Sequence, residues 1–442
     1  MAEKLTLRNF GPIKKAEIEV TDMMVFIGAQ SSGKSTLAKL ITILNDFNFR
    51  QNYGSELIKE LEKYNLSSFI NKNTYINYDS PFFRFKYEKG EEEKFEYSRI
   101  LNYFLNKKEH KKDDIETIEL IIGIMISIIV SDEKSDILLR EIQKDNHFGL
   151  IENPESLLEI NSESKQNYSL FPSHILKKYN KDLNLSELNQ LARQVIRVFS
   201  FIRPLDSMYV PAERTLIPLI VNNIAGLINN KISFPQYMLQ AVQEFEKGLN
   251  TINSFSLDII GSLRYKRTNN QSYIYHNKNQ KVLLKEASSG VQSILPILLL
   301  IESSVRKENY INLNYVVEEP ELNLYPEAQY ELSKYLVKSC LETELKVQTK
   351  NLIITTHSPY ILASINNLLL AHKKGTKNKK LVDEIVKESS WINPKNFNAY
   401  EVKNGTVQRI FNKKNKLIED NIIDEVTEII MEDFKKLALI ND

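Results

Sequence analysis

An α/β fold is the reading this sequence supports, and three observations predict it. A short apolar strand, Met23–Ile27, runs straight into glycine and then into Lys34–Leu44, where apolar residues at 37, 40, 41 and 44 follow helical spacing. From about residue 205 onward, strand-like and helix-like segments alternate, which is the pattern of helices packed on a sheet. Finally, the buried-type strand Tyr315–Val317 ends in two carboxylates, Glu318 and Glu319.

In chain order, residues 4–10 and 16–20 alternate apolar and polar across the turn Asn9-Phe10-Gly11-Pro12 and read as a β-hairpin. After the first helix, Thr74–Asp79, Phe82–Tyr87 and Lys94–Tyr97 read as strands, and 113–145 and 185–201 as helices. The segment 49–204 carries no chemical motif and reads as a mixed α+β, mainly helical insertion. Tyr209–Arg214 brings a strand back, followed by a helical block to Asn250 and strands at 259–267, 272–276 and 281–284. A loop at 285–290 leads to a helix from Val291, and a further helix starts at Pro326. Leu352–Thr355 is a strand, and Ala399–Val402 pairs with Val407–Phe411 across Asn404-Gly405. The last residues read as a polar helix with apolar positions 418, 422, 423, 426 and 430. The expected organisation is therefore 1–48, an inserted 49–204, 205–411 and a terminal helix at 412–442.

Composition narrows the function. The chain has 442 residues, 42% of them apolar and 26% charged, which is globular composition. Lys+Arg number 58 and Asp+Glu 57, so no global charge suits the whole surface to nucleic acid. The Lys373, Lys374, Lys377, Lys379, Lys380 group leaves a local DNA contact open, against an ordinary solvated loop. A single cysteine, Cys340, excludes an intramolecular disulfide framework and fits a reducing compartment. No secretory signal is recognised at the start. The most apolar run, Leu120–Val130, is shorter than the roughly 18 residues a membrane span needs. A cytoplasmic protein is expected.

Gly28-Ala29-Gln30-Ser31-Ser32-Gly33-Lys34-Ser35 fits G-x-x-x-x-G-K-[ST], with Thr36 next in line. Glycines let backbone N–H groups curl around phosphates, and the following helix start favours negative charge. In that pattern Lys34 reaches the β- and γ-phosphates, and the Ser35 hydroxyl holds Mg²⁺. The carboxylate pair suits the same chemistry, Glu318 as a metal ligand and Glu319 as the base that polarises a water. Ser288-Ser289-Gly290-Val291-Gln292 stands at a helix start, a second anion-binding end to which Ser289, Gly290 and Gln292 contribute. Thr355-Thr356-His357-Ser358 closes the next strand.

Taken together these motifs resemble the ATP-binding-cassette ATPases, and within them the soluble SMC/RecF/OLD-like branch of P-loop NTPases. Leu5-Thr6-Leu7-Arg8-Asn9-Phe10-Gly11-Pro12-Ile13 is similar to that branch's opening hairpin. Glu318-Glu319-Pro320-Glu321-Leu322-Asn323-Leu324-Tyr325-Pro326 is similar to its Walker B and D-loop, usually D-E-P-E-x-x-L-H-P, and Thr356-His357-Ser358-Pro359 to its histidine switch. The resemblance implies ATP and Mg²⁺ as cofactors, Glu319, His357 and Lys34 in catalysis, and Ser289–Gly290 completing the site of a second subunit. It implies at least a dimer. Glu318 stands where Asp is usual and Val291 where a second glycine is common, so slow turnover is expected. Tyr209–Arg214 is the candidate segment joining the lobes, with Glu213 or Arg214 near the nucleotide. About 85 residues follow His357 and read as a hairpin plus a helix, leaving no room for the Toprim nuclease of OLD proteins. Compact heads of this kind resemble the ATPase subunits of anti-phage systems such as Septu and PARIS. There a separate effector, a nuclease, is encoded nearby. A RecF/SMC-like DNA clamp and a nucleotide-locked scaffold are the alternatives.

Overall fold

In the computed structural model, the described residues are 3–46, 49, 57–80, 83–88, 94–97, 206–231, 233–278, 280–306, 312–342, 349–419 and 422–438. The helices expected at 113–145 and 185–201, and the run Leu120–Val130, lie outside them.

Strands β1 (Glu3–Phe10) and β2 (Ile13–Val20) form the opening hairpin, with Leu5 opposite Ile18 and Leu7 opposite Ala16. Their alternation turns Leu5, Leu7, Phe10, Ile13 and Ile18 into the core. Strand β3 (Met23–Ile27) is buried at all five residues, as a strand covered on both faces must be. Helix α1 (Lys34–Asn45) follows the glycine loop, and α2 (Leu57–Lys63) buries Leu57 and Leu61. Strands β4 (Tyr75–Asp79), β5 (Phe83–Glu88) and β6 (Lys94–Tyr97) then run back and forth beside β1.

From residue 206 the chain supplies the other half of the same sheet. The elements are β7 (Asp206–Val210), α3 (Ile217–Asn229) and α4 (Gln236–Thr251). Next come β8 (Ser254–Ser256), β9 (Arg264–Thr268), β10 (Gln271–Tyr275), β11 (Lys281–Leu283) and α5 (Ser289–Arg306). They are followed by β12 (Asn312–Glu318), α6 (Pro326–Leu341), β13 (Thr349–Thr356) and α7 (Pro359–Ile385). The hairpin β14 (Phe397–Lys403) and β15 (Thr406–Arg409) turns at Asn404 and Gly405, both at positive φ (54° and 82°) as such a turn demands. Short strands β16 (Phe411–Asn412) and β17 (Leu417–Ile418) and helix α8 (Ile422–Ala438) complete it.

The main sheet has eleven strands in the order β6-β5-β4-β1-β2-β15-β14-β3-β13-β12-β7, and a four-stranded sheet runs β11-β10-β9-β8. Strands β14, β3, β13, β12 and β7 are all parallel to their neighbours in that run. One hydrophobic core holds the whole together, from Leu5 through Tyr315 to Ile418.

Several expectations need correction. The strands assigned to an insertion beginning at 49 continue the main sheet through β1, and Phe49, Leu57, Ile76, Tyr78, Phe83 and Phe85 share the single core. The helix after the serine-glycine turn starts at Ser289, not Val291, and 259–260 lies in a 3-10 turn before β9. Residue 418 belongs to β17 rather than to the last helix. The tail after His357 is more than a hairpin and a helix, because α7 was hidden by its lysine-rich second half. That helix has ordinary start signals: Ser358 Oγ accepts from the N–H groups of Tyr360 and Ile361, and Pro359 fills the first turn. The lysines 373–380 therefore lie on a helix, kinked at Asn378, and not on a loop.

Gly375 explains the composition of that helix. It is buried, and a Cβ built on it would lie 2.1 Å from Trp391 Cζ3. The indole ring rests directly on the helix backbone, while its N–H donates to the Val386 carbonyl at 2.8 Å. Gly375→Leu is expected to cost about 1–3 kcal/mol through overpacking. The urea midpoint should fall while nucleotide affinity of the folded fraction stays unchanged; an unmoved midpoint would refute the packing argument.

Candidate active site

Three parallel strands end side by side. In register, Thr356 of β13 pairs with Ile27 of β3, and Thr355 pairs with Glu318 of β12. The glycine loop, His357 and the Glu318–Glu319 pair are therefore brought to one edge of the sheet, the carboxyl ends where open α/β sheets bind ligands.

The loop needs its glycines for different reasons. A Cβ on Gly28 would lie 2.3 Å from the Val402 carbonyl oxygen of β14, so the backbone passes too close for any side chain. Gly33 has φ 109°, and its Cβ would meet Ile13 Cδ1 at 2.6 Å, where the opening hairpin packs on the loop. No side chain caps α1 and no acidic residue sits in its first turn, which leaves that helix start suited to an anion. Lys34 is buried and folds back to donate to the carbonyls of Gly28 and Ala29, both at 2.9 Å. Burial holds its ammonium below the usual lysine range, while Glu319, Glu321 and Glu318 pull the other way.

The carboxylates divide by burial. Glu318 is 3% exposed and its Oε1 has no hydrogen-bond partner. Burial, and next the Glu318 charge, push the neighbouring Tyr209 phenol well up. Glu319 follows at φ 43°, and its N–H donates to Thr355 O at 2.8 Å, tying the turn to β13. Its side chain is 22% exposed, so of the pair it is the one open to water. Glu321, which sequence reasoning passed over, organises the histidine turn. Its Oε1 accepts from Thr356 Oγ1 at 2.8 Å and from the His357 N–H at 2.9 Å. Its position in Glu-Pro-Glu was a signal, since a third carboxylate beside the pair must find donors if buried. His357 Nδ1 lies 3.6 Å from Glu319 Oε1 and 3.5 Å from Glu321 Oε1, with no hydrogen bond of its own.

Arg214 lies against the carboxylate turn. It is fully buried, and its guanidinium donates to Glu318 O and Glu319 O at 2.7 Å each, to Ser293 O at 3.0 Å and to Pro211 O at 3.3 Å. Burial lowers its pKa to about 10, against the opposing pull of Glu321, Glu319 and Glu318. Glu213 is exposed.

The serine-glycine turn occupies a different place. A Cβ on Gly290 would lie 2.9 Å from Asn323 O, so the start of α5 packs on the turn after the carboxylates. Gln292 turns its amide inward, donating to Lys285 O and Ala287 O at 3.1 and 2.9 Å, which commits it to its own loop. A cavity of about 440 Å³ lies there, lined by Ser288, Gly290, Asn323, Tyr325 and neighbours; no residue of 28–36 lines it.

The donor set fits a magnesium nucleotide. Ser32 Oγ, Glu318 Oε1, Glu321 Oε2, Thr355 Oγ1 and His357 Nδ1 are buried, unpartnered, and gathered at the ends of these three strands. Among the described residues no group of three or more His, Cys, Asp or Glu is placed to hold a metal ion. A single carboxylate with a serine hydroxyl and phosphates is the arrangement Mg²⁺ accepts.

Fold and site together define an α/β P-loop ATPase head. The AAA ATPase domain family matches residues 1–362, and the chain belongs to that family. Among solved structures it is similar to the SMC head domain from Thermotoga maritima, at 10% identity and TM-score 0.36 over 93% of this chain and 98% of that one. It is similar too to an Smc head domain with an extended coiled coil from Pyrococcus furiosus, at 12% identity and TM-score 0.33 over 98% of each chain. A third is the recombination mediator protein RecF, at 12% identity and TM-score 0.29 over 92% of this chain and 98% of that one. No curated protein matches the sequence.

The depressed Lys34 has a measurable consequence. A cation whose pKa is lower in the folded state opposes folding below that pKa, and the penalty fades as pH rises to the ordinary lysine value of about 10.5. Lys34→Met should therefore raise the urea midpoint of the nucleotide-free protein at pH 7. The gain over wild type should shrink as pH approaches 10, and a gain that grows with pH would contradict the burial argument.

Proposed function

We propose that this protein is an ATP- and Mg²⁺-dependent ATPase that works as a dimer or larger homo-oligomer and controls a separate effector. The observation that carries the catalytic part is the juxtaposition of three parallel strand ends: phosphate loop, His357, and Glu318–Glu319. Residues Gly28–Ser35, with Thr36 behind them, take the triphosphate through backbone N–H groups and the Lys34 ammonium. Lys34 exchanges its two loop carbonyls for phosphate oxygens. Ser35 and Glu318 would hold Mg²⁺, whose positive charge would offset that of the phosphates. Glu319, the solvent-reaching carboxylate, accepts a proton from the attacking water, and His357 faces the terminal phosphate.

The second copy follows from the place of Ser289 and Gly290. The cavity that Gly290 lines includes no residue of the loop 28–36, so in this reading Ser289 and Gly290 close the nucleotide held by a partner copy. Glu318 in place of Asp carries the metal-binding carboxylate one methylene further, and turnover is accordingly slow. The sequence resemblance supports a defence role, with a nuclease encoded nearby as effector. No helix among the described residues is long and apolar enough to cross a membrane, which agrees with a cytoplasmic site of action.

The test is Glu319→Gln. Removing a general base should lower turnover by about 10²–10⁴-fold while leaving nucleotide affinity in place. Sedimentation with ATP and Mg²⁺ should show the variant accumulating as dimer, and Lys34→Ala should abolish both binding and dimer. Hydrolysis by Glu319→Gln at the wild-type rate would sink the assignment. In cells carrying the neighbouring effector gene, loss of protection on Glu319→Gln marks a cycling ATPase; retained protection marks a nucleotide-locked scaffold.

A further inference from the structure

We propose that Arg214 is a positioning residue that locks the carboxylate turn to helix α5, so that the orientation of Glu319 depends on the placement of the Ser289–Gly290 helix start. The inference rests on Glu319 being the base of an ATP-hydrolysing site. Four of the five guanidinium N–H groups meet backbone carbonyls, and those carbonyls come from three separate segments. Pro211 O lies at the head of Arg214's own turn, Ser293 O is in the first turns of α5, and Glu318 O and Glu319 O belong to the catalytic turn itself.

The contact on α5 is placed where that helix is weakest. Pro296 lies inside it and has no N–H, so the Gln292 carbonyl, next to Ser293, lacks its helical donor. Ser293 is one turn on from Ser289, the residue that begins the helix. Any shift of the helix start therefore moves the acceptor of Arg214 Nε. At the other end, Glu319 sits at φ 43°, a conformation disfavoured for a residue with a Cβ, and its carbonyl direction is fixed by Arg214 Nη2 at 2.7 Å. No water competes, since Arg214 is fully buried. A planar fork can hold three segments in one plane; a lysine ammonium has three donors on one atom and cannot span them. Contact of a second copy with Ser289 and Gly290 is thereby felt at the base of the subunit that donates them.

Arg214→Lys keeps the charge and removes the fork, and Arg214→Gln keeps a planar donor and removes the charge. Turnover of each, per nucleotide-bound molecule, should fall by about 100-fold. The nucleotide dissociation constant should stay within about threefold, because the Arg214 guanidinium donates to the carbonyls of Pro211, Ser293, Glu318 and Glu319 and to none of the phosphate loop. In a Glu319→Gln background, Arg214→Lys should cause no further loss, since the two residues act through one group. Three results overturn the inference: wild-type turnover in Arg214→Lys, additive losses in the double variant, or loss of folding or nucleotide binding in both variants, which makes Arg214 merely structural. A wild-type protein that does not hydrolyse ATP fails the underlying reading instead, and is recognised without any Arg214 variant.

Discussion

Everything at this site depends on β13 lying between β3 and β12. Parallel strands must be joined by crossovers, and each crossover here is a helix or a longer insertion laid over the sheet. The pairing places three loops from residues 28, 319 and 357 next to one another, although the first lies almost three hundred residues before the second in sequence. It also obliges Met23–Ile27, Tyr315–Val317 and Leu352–Ile354 to be apolar on both faces, since each is covered above and below. The chemistry is thus supported by strands that contain none of it. A polar substitution in the middle of β3 would misplace the loop without touching a phosphate ligand.

The charges at that edge are balanced rather than minimised. Glu318 and Glu321 are buried beside the partly open Glu319, facing the buried cations Lys34 and Arg214. Burying so many ions is costly, and replacing them with apolar groups would often give a more stable protein. In the proposed function that arrangement suits a ligand that carries both signs, a polyanion with its cation. Hydrogen bonds absorb part of the cost. Glu321 accepts hydrogen bonds from the Thr356 hydroxyl and the His357 N–H, while Arg214 donates to carbonyl oxygens instead of carboxylates.

The legible part of the sequence was the part where chemistry constrains residue type at fixed spacing. The glycine loop, the strand-terminal glutamates, the histidine turn and the Asn404–Gly405 hairpin all stand as the residues indicate, because each requires a particular backbone shape. Less legible were features set by partners far along the chain. The lysines 373–380 were weighed as a loop because nothing local tells that Trp391 packs on Gly375 in their midst. The strands after residue 74 looked separate because nothing in their alternation names β1 as their neighbour. Arg214 could be placed near the site but not oriented, since its four acceptors are backbone carbonyls and carry no side-chain signature. Gln292 is polar in the right place, yet its loop uses it first.

In the proposed function, the loop-bound Lys34 makes nucleotide capture an exchange rather than an addition. Its ammonium already holds the carbonyls of Gly28 and Ala29, so an arriving molecule must offer oxygens good enough to displace them. A phosphate chain can; a nucleoside or a base alone cannot, however well its ring packs. The Lys34 side chain thus spans the loop's own carbonyls, and in the proposed function molecules lacking charge are screened out there. The heat released on binding is then the difference between two sets of hydrogen bonds rather than the sum of one.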